Sequence, residues 1–345
     1  MKKYLILLFS FLLLACGKAK NSDIPIVNLI LDTDMGPDYD DVGAMTLMYA
    51  LADSGQVNIL ATLSSNKDEQ AIPCIEVINE YFERSNIPVG APKNIAPSLT
   101  TWHKESKWTD YLPSHFKHKT HKTSDAPDAV QVYRQILSQQ QDTSVTICTI
   151  GFFSNLKYLL ESQPDQYSPL NGTELVRQKV KLLVSMAGEF PTGRGEFNIK
   201  CDAPAAKKVV ETWPSRIIFS GFEIGKDILT GKEVAQMSIK NSPIKDAYQM
   251  SLSQDNPEGR NSWDQTAVLV AIKGYKPYFK IKLGTIQIND TTGTNQWIDD
   301  TAGKHAYLIK EMPEPEIAAI IENYMKHQPL NWVFTNSCYS ILCKQ

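Results

Sequence analysis

The feature that most constrains the fold is a regular alternation of short apolar runs with segments of helical periodicity. The runs are rich in branched residues, as strands buried on both faces of a parallel sheet are. They lie at 26–31, 58–63, 145–150, 181–186 and 216–220, and helices are predicted over 42–52, 68–84 and 203–211 and from Phe153 onward. The alternation predicts an α/β fold with a doubly wound, mostly parallel central sheet flanked by helices.

Towards the C-terminus the pattern changes. Residues 279–288 alternate in polarity and precede turn residues, Trp297 and a second apolar run at 307–309, which predicts a small antiparallel hairpin. A last helix is predicted over 313–326. Segment 92–127 is loop-like and is expected to contribute a lid to a site at the carboxyl ends of the strands. Its Trp102 and Trp108 could close over a ligand or pack locally.

The N-terminus has the form of a targeting segment. Lys2 and Lys3 precede an apolar stretch, 4–14, that is too short for a stable membrane anchor, so residues 1–15 are predicted to be a signal peptide. The stretch ends in Leu-Leu-Ala-Cys, which resembles the bacterial lipobox and predicts lipidation of Cys16. An ordinary signal peptidase site beside an incidental cysteine is the alternative. The expected location is the bacterial cell envelope, with a lipid anchor on the periplasmic side of a membrane and the outer membrane favoured.

These boundaries divide the chain into a signal peptide (1–15), a lipid-anchored tether (16–25), one large α/β domain (26–327) and a C-terminal tail (328–345). Six cysteines are present, and a lipid on Cys16 leaves five, an odd number that excludes three intramolecular bridges. Cys338 and Cys343 could pair across a short loop, whereas Cys148 is predicted to be a buried thiol. A formal charge of −3 gives no support to a nucleic-acid partner. Homo-oligomerisation stays open.

Five carboxylates lie within ten residues at the carboxyl end of the first predicted strand: Asp32, Asp34, Asp38, Asp40 and Asp41. Helix capping accounts for one or two of them, at about 0.3–1 kcal/mol each. The rest need a counter-charge, and oxygen-only donors favour Ca²⁺ or Mg²⁺ over zinc. An EF-hand is a poor match, because Pro37 stands where glycine is needed and Gly43 where glutamate is needed. An aspartyl-phosphate phosphatase would use Asp32 as nucleophile and leave three acids without a role.

Four motifs in order resemble the inosine-uridine-preferring nucleoside hydrolase family, over about 26–326. The family's D-T-D-P-G-x-D-D corresponds to D-T-D-M-G-P-D-Y-D-D at 32–41, and its T-G-P-L-T-N-L corresponds to I-G-F-F-S-N-L at 150–156. Its M-G-G, E-F-N and D-P-E-A-A correspond to M-A-G at 186–188, E-F-N at 196–198 and D-A-P-A-A at 202–206. Its H-D-P-x-x-A corresponds to W-D-Q-T-A at 263–267. The resemblance implies a calcium-dependent enzyme that hydrolyses the N-glycosidic bond of ribonucleosides or related ribosides to base and ribose.

The resemblance also implies a role for each matching residue. Asp34 would bind calcium and act as general base on a calcium-bound water. Asp41, Asp264 and the Ile150 carbonyl would complete the protein's ligands to the ion. The ribose hydroxyls would be held by Asp40, Glu196 and Asn198 and would fill the ion's open positions, so deoxyribosides should be poor substrates.

Two departures from the family pattern bear on the substrate. The first loop has two extra residues, which leaves Asp38 as a second candidate for the place given to Asp40. Trp263 stands where many members have a histidine thought to protonate the leaving base, and an indole cannot supply that proton. Trp263 could stack on the base or fill core. The segment 189–195 is also shorter than the family's, so the substrate need not be an ordinary nucleoside. A lipoprotein that binds ribosides with weak or no turnover is the alternative function.

Two further candidates come from the residues alone. Glu223 follows a strand end and could face the site, or could be the N-terminal acid of a helix. His115, His118 and His121, with lysines between them, look like a metal site, but their spacing suits one helical face only partly. A solvated basic loop is therefore the favoured interpretation.

Overall fold

A ten-stranded sheet runs through the centre of the protein, whose computed structural model describes residues 26–330. The strands are β1 (Val27–Thr33), β2 (Val57–Ser64), β3 (Val89–Gly90), β4 (Val145–Thr149), β5 (Val180–Met186), β6 (Thr192–Gly193), β7 (Arg216–Ser220), β8 (Leu229–Thr230), β9 (Arg260–Asn261), β10 (Phe279–Ile288), β11 (Asn295–Asp299) and β12 (His305–Lys310). Their order in the sheet is β3-β2-β1-β4-β5-β7-β12-β10-β11-β6, and β8 pairs with β9 in a separate two-stranded sheet.

Helices cover both faces of this sheet. They are α1 (Asp40–Asp53), α2 (Ala71–Tyr81), α3 (Trp108–His115), α4 (Ala129–Ser138), α5 (Ser154–Glu161), α6 (Gly172–Lys179), α7 (Phe197–Cys201), α8 (Ala203–Thr212), α9 (Phe222–Gly225), α10 (Lys232–Ala235), α11 (Pro243–Leu252), α12 (Trp263–Lys273) and α13 (Glu314–Met325), with one 3₁₀ turn at Thr123–Asp125.

The doubly wound, mostly parallel sheet is confirmed. All pairs from β3 across to β12 are parallel, and β10, β11 and β6 extend the same sheet with antiparallel pairs, so the predicted hairpin is confirmed as β10 and β11. The chain builds outward from β1 in one direction through β2 and β3 and in the other through β4, β5 and β7. Strand order therefore reverses between β1 and β4, and a crevice for ligands opens at such a point.

Two apolar layers hold the sheet. In β1, Leu29 and Leu31 face one layer and Ile30 faces the other, as alternate residues of a strand must. The first layer contains α1 and α12, which are buried on nearly every side because further helices cover them. Both helices start at the carboxyl edge of the sheet, so their first turns are fixed in position beside the crevice.

The long segment 92–127 is mostly irregular, as predicted, but contains α3. Trp108 and Leu112, four residues apart, are fully buried and fix this helix to the core, while Pro113 near its end hides the helical pattern in the sequence. Trp108 therefore packs locally. Cys148 is a buried, free thiol in β4, as predicted, and Cys74 and Cys201 are free as well.

Several predictions concern residues outside 26–330. The signal peptide, the lipid on Cys16, the tether and the pairing of Cys338 with Cys343 all lie there. Within 26–330, none of the helices combines the length and apolar character that crossing a membrane requires.

Candidate active site

A cavity of about 640 Å³, counting its open mouth, lies at the crevice between β1 and β4. This size is ordinary for a small-molecule site. Its lining comes from the first loop, the end of β4, α7, α9 and the start of α12, and comprises Asp34, Pro37, Asp38, Asp40, Asp41, Trp102, Ile150, Met186, Glu196, Phe197, Asn198, Phe222, Arg260, Trp263 and Asp264. Ten of the site residues predicted from the sequence lie within 26–330. Nine of them line this one cavity, and Glu223 does not.

Three buried carboxylates form the floor of the cavity. Asp40, Asp41 and Asp264 each offer an oxygen within 4.8 Å of the others. Asp40 and Asp41 begin α1 and Asp264 lies in the first turn of α12, so two helix N-termini point at the cluster and stabilise negative charge there. The Asp264 amide donates to Asp40 Oδ2 at 3.2 Å, and the Thr33 hydroxyl donates to Asp41.

Asp34 lies just beyond β1 and is held at the cavity by its backbone. Asn66 Nδ2 donates to the Asp34 carbonyl at 3.1 Å and to the Leu99 carbonyl at 2.7 Å. Across the sheet, the Ile150 amide donates to the Asp32 carbonyl at 2.8 Å, which aligns the end of β4 with the end of β1. The Ile150 carbonyl and the Asp34 side chain therefore come to the same cavity from adjacent parallel strands.

Burial raises the pKa values of Asp34, Asp40, Asp41 and Asp264 well above the ordinary range, and the neighbouring carboxylates raise them further. Four buried acids cannot all ionise this close together without a positive partner. The donors are all oxygens, which fits a hard divalent cation held by these carboxylates together with the Ile150 carbonyl. The arrangement is therefore suited to a metal centre.

Asp32 does not belong to this centre. It is fully buried and accepts hydrogen bonds from the Tyr133 hydroxyl at 2.9 Å and from Asn155 Nδ2 at 3.1 Å. Burial raises the pKa of Asp32 to about 7, against the effect of those hydrogen bonds. Because Asp32 is enclosed and turned away from the cavity, the phosphatase alternative that used it as nucleophile is not supported.

Glu196 and Asn198 form one wall. Glu196 is the N-cap of α7, where its Oε1 accepts from the Asn198 amide at 2.8 Å and its Oε2 from the Gly188 amide at 3.1 Å. Burial raises the pKa of Glu196 to about 7. Asn198 Nδ2 donates to the carbonyls of Ile150 at 3.2 Å and Met186 at 3.1 Å, which leaves its amide oxygen to accept from a ligand.

Aromatic rings also line the cavity and its mouth. Trp263 stacks on Phe222 with ring centroids 5.2 Å apart, and its Nε1 donates to the Phe222 carbonyl at 2.8 Å. Trp263 therefore lines the cavity, and the core-filling alternative does not apply. Trp102, 43% exposed, reaches the mouth from segment 92–127, so this segment does border the site.

Asp38 forms an ion pair with Arg260, whose Nε lies 3.0 Å from Asp38 Oδ2. Burial raises the pKa of Asp38 and the guanidinium lowers it. Asp40 instead abuts the floor cluster. Of the two candidates for the hydroxyl-binding place, Asp38 is thus engaged by the protein itself.

Glu223 lies outside the cavity. It begins the short helix α9, accepts from the Phe190 amide at 3.1 Å and faces a separate groove beside β12, so the helix-terminal interpretation is the one that fits. Among the described residues, the three histidines of 115–121 form no metal-binding group: His115 stacks on Tyr111, and His118 and His121 contact each other edge to face.

Arg260 and Phe222 line the cavity but were not among the site residues predicted from the sequence. Neither belongs to a matched motif, and each comes to the cavity through tertiary structure. The only local signal was an arginine three residues before the W-D pair, in a site otherwise made of acids.

The sequence matches the model of the inosine-uridine preferring nucleoside hydrolase family over residues 29–321. None of the curated proteins matches it significantly. Solved structures share the fold at low identity. The purine-preferring ribonucleoside hydrolase from Gardnerella vaginalis is 14% identical with a TM-score of 0.66, and 87% of this chain and 98% of that one are covered.

For the inosine-uridine preferring nucleoside hydrolase from Bacillus anthracis, the identity is 16%, the TM-score 0.64 and the coverage 87% and 99%. For the type III effector protein XopQ, solved in complex with adenosine diphosphate ribose, the identity is 13%, the TM-score 0.62 and the coverage 87% and 92%.

Proposed function

This chain belongs to the inosine-uridine preferring nucleoside hydrolase family, a family of N-glycosyl hydrolases, and we propose that it hydrolyses ribonucleosides or related ribosides with calcium as its ion and Asp34 as general base. The observation that carries the proposal is the single cavity in which the acid cluster, the Ile150 carbonyl and the Glu196–Asn198 wall meet. Each of these groups has a separate task in the reaction.

The ion would be held by Asp34, Asp41, Asp264 and the Ile150 carbonyl. These donors fit it because they are oxygens and because Asp34, Asp41 and Asp264 are buried acids that need a positive partner. When bound, the ion supplies positive charge that lowers the pKa of a water molecule in the site.

Asp34 would accept the proton of that water. It is nearly buried, and its backbone is fixed by Asn66 and by the close approach of Gly151, so its carboxylate is positioned before substrate arrives. The water oxygen forms the new bond to C1′ of the ribose, and the electron pair of the C1′–N bond leaves with the base.

The ribose would be held by Asp40, Glu196 and Asn198. The oxygens of Glu196 are fixed by backbone amides, and the Asn198 amide is oriented by two carbonyls, so these acceptors are held rigidly for hydroxyl donors. Fixed carboxylates next to the sugar also stabilise the positive charge that develops as the glycosidic bond breaks.

The test is the release of base and free ribose from a panel of ribonucleosides in the presence of calcium. We expect turnover by the wild type, no measurable turnover by Asp34→Asn, and at least about 100-fold lower kcat/KM on 2′-deoxyribosides, because a hydroxyl partner is missing. Asp290→Asn, which removes an exposed charge outside the cavity, is the matched control and should keep activity. The absence of turnover on every riboside would refute the proposal. The panel should include ADP-ribose, because one structural neighbour is described with it.

One observation favours the alternative of a riboside-binding protein with little turnover: Trp263 gives the leaving base no proton. Tight binding of ribosides, abolished by removing the 2′-hydroxyl and accompanied by no release of base, would support that alternative.

We further propose that the protein acts at the bacterial cell envelope as a lipoprotein, on the evidence of its first sixteen residues. Metabolic labelling with a palmitate analogue should mark the wild type and fail to mark Cys16→Ser.

A further inference from the structure

Arg260 is the only cationic side chain among the described residues that line the cavity. Its guanidinium carbon lies 5.1 Å from the ring centre of Trp263, 5.3 Å from that of Trp102 and 5.6 Å from that of Tyr39. The side chain is only 17% exposed. Arg260 is therefore fixed on the aromatic side of the cavity, where a flat base would stack.

Asp38 and Tyr39, which hold Arg260, both belong to the part of the first loop that carries two extra residues. Asp38 accepts from two N–H groups of the guanidinium, and Tyr39 packs against it with a ring that is fully buried. Trp263, the other departure from the family pattern, contacts the same guanidinium. Both departures thus meet at one side chain.

The charge balance indicates what Arg260 can bind. Its positive charge is matched by Asp38, and the other carboxylates of the cavity would repel an anionic substrate. A guanidinium carries five N–H groups, so three stay available beyond the two that contact Asp38. The partner that fits is a neutral hydrogen-bond acceptor that becomes negative during the reaction.

Given the proposed function, on which this role depends, we propose that Arg260 is a catalytic residue for departure of the base. Its remaining N–H groups donate to a ring nitrogen or carbonyl oxygen of the base while the C1′–N bond breaks. The electron pair of that bond moves onto the base, the water oxygen bonds to C1′, and the water's proton goes to Asp34.

Arg260 keeps its own proton, because a guanidinium does not lose a proton near neutral pH. The departing base, stabilised as an anion by charge-assisted hydrogen bonds, takes its proton from solvent afterwards. A site without a histidine donor can therefore still release a poor leaving group.

The test compares ribosides whose leaving groups need different degrees of stabilisation. Uridine and inosine release bases that need stabilisation, whereas p-nitrophenyl β-D-ribofuranoside releases a phenolate that leaves unaided. We expect Arg260→Met to lower kcat about 10²–10³-fold on the nucleosides and less than about 10-fold on the p-nitrophenyl riboside. Arg260→Lys, which keeps the charge and loses the planar fork, should give a smaller loss with the same preference.

Arg84→Met is the matched control. Arg84 also pairs with an aspartate, Asp53, and lies 5.7 Å from a tyrosine ring centre, that of Tyr49, but it lies away from the cavity. The Arg84→Met variant should have a lower thermal stability, and its kcat on the nucleosides and on the p-nitrophenyl riboside should change to the same extent.

The outcomes distinguish the two proposals. Equal losses on all substrates in Arg260→Met and Arg260→Lys, with the wild type active, would overturn the role of Arg260 and leave the hydrolase intact. A wild type that cleaves neither nucleosides nor the p-nitrophenyl riboside would refute the proposed function, and the role of Arg260 would fail with it.

Discussion

Gly151 lies so close to Asp34 that its position has no room for a side chain. A Cβ there would lie 2.7 Å from Asp34 Cβ and 2.6 Å from Ser65 Oγ, closer than such atoms approach in proteins, and would also overlap the Asp34 amide. We expect Gly151→Ala to displace Asp34 and lower kcat/KM by about 100-fold, because a shift of roughly 1 Å has that cost. Steady-state kinetics on the best riboside measures the effect.

Gly172→Ala separates this effect from general overpacking. A Cβ at Gly172 would lie 2.6 Å from Ser162 Oγ and would overlap the Leu159 carbonyl, and none of these residues lines the cavity. It should lower the free energy of unfolding by about 1–3 kcal/mol and leave kcat/KM unchanged well below its Tm. Equal kinetic losses in the two variants would contradict the role given to Gly151.

Glu223 makes stability depend on pH. Its Oε2 accepts from the Phe190 amide, its Oε1 is buried and finds no acceptor or donor among the described residues, and burial raises its pKa from 4.5 to about 7. The folded state therefore binds this proton more tightly than the unfolded chain. Stability from this group is complete below about pH 4.5 and falls as the pH rises towards 7.

We expect Glu223→Gln, which stays neutral, to melt roughly 2–4 °C above the wild type at pH 8 and at nearly the same temperature at pH 4. Thermal melts between pH 4 and 8 measure this difference. Glu105→Gln, at an exposed glutamate, should track the wild type throughout. Parallel curves for Glu223→Gln and the wild type would show that the buried carboxyl does not titrate in this range.

At the scale of single residues, the motifs predicted most of the cavity. The oxygen-bearing groups that line the cavity at 34–41, 150, 196–198 and 264 are encoded locally, because each follows a strand end or begins a helix. The ion pair of Asp38 with Arg260 was not predictable. These residues are 222 positions apart, and nothing in either segment indicates the other.

Asn66 joins two structural elements around the site. Its side chain is buried after β2 and exchanges hydrogen bonds with the backbone of Leu99 in both directions, at 2.7 Å and 2.9 Å, while also donating to the Asp34 carbonyl. It thereby ties the first loop to the segment that carries Trp102. Asn66→Ala should release both, with at least about a tenfold fall in kcat/KM and faster proteolysis within 92–107.

Asn79→Ala provides the comparison. Asn79 is equally buried, in α2, and bonds with the hydroxyls of Tyr49 at 2.6 Å and Thr62 at 3.0 Å, away from the cavity. It should destabilise the fold by about 1–3 kcal/mol and keep its kcat/KM. If both variants lose activity to the same degree, Asn66 acts only through stability.

At the scale of elements, the helices that the sequence predicted are those that follow an apolar strand run. The central helix α12 was not assigned, because it is apolar on nearly all sides and its sequence lacks the 3.6-residue alternation. Its position nevertheless matters most, since it delivers both Trp263 and Asp264. Likewise, the parallel pairing of β7 with β12 joins segments about 90 residues apart, which no local pattern specifies.

At the scale of the whole molecule, the site is a balance between function and stability. Six carboxylates line the cavity against one cationic side chain, and those of the floor are buried. Like charges in a buried cluster destabilise the fold unless a cation binds them. The protein's stability should therefore depend on the ion more strongly than that of a protein with a surface site.

This balance predicts that the order of stability reverses with calcium. In EDTA, Asp264→Asn should melt above the wild type, because one buried like charge is gone. With calcium at about 100 times its Kd, the wild type should gain about 2.7 kcal/mol, roughly 5 °C or more, and Asp264→Asn should gain little, so the wild type then melts higher. Asp290→Asn, at an exposed aspartate outside the cavity, should follow the wild type in both buffers.

Magnesium and zinc, tested in the same melts, identify the ion. Calcium should raise the Tm most, because a site made of several carboxylates and a carbonyl matches its larger, flexible coordination shell better than the small octahedral shell of magnesium, and offers zinc no thiolate or imidazole. A wild-type Tm that no divalent ion raises would mean that these acids are neutralised by protons alone. A rise with magnesium or zinc that exceeds the rise with calcium would keep the metal centre and replace calcium as its ion.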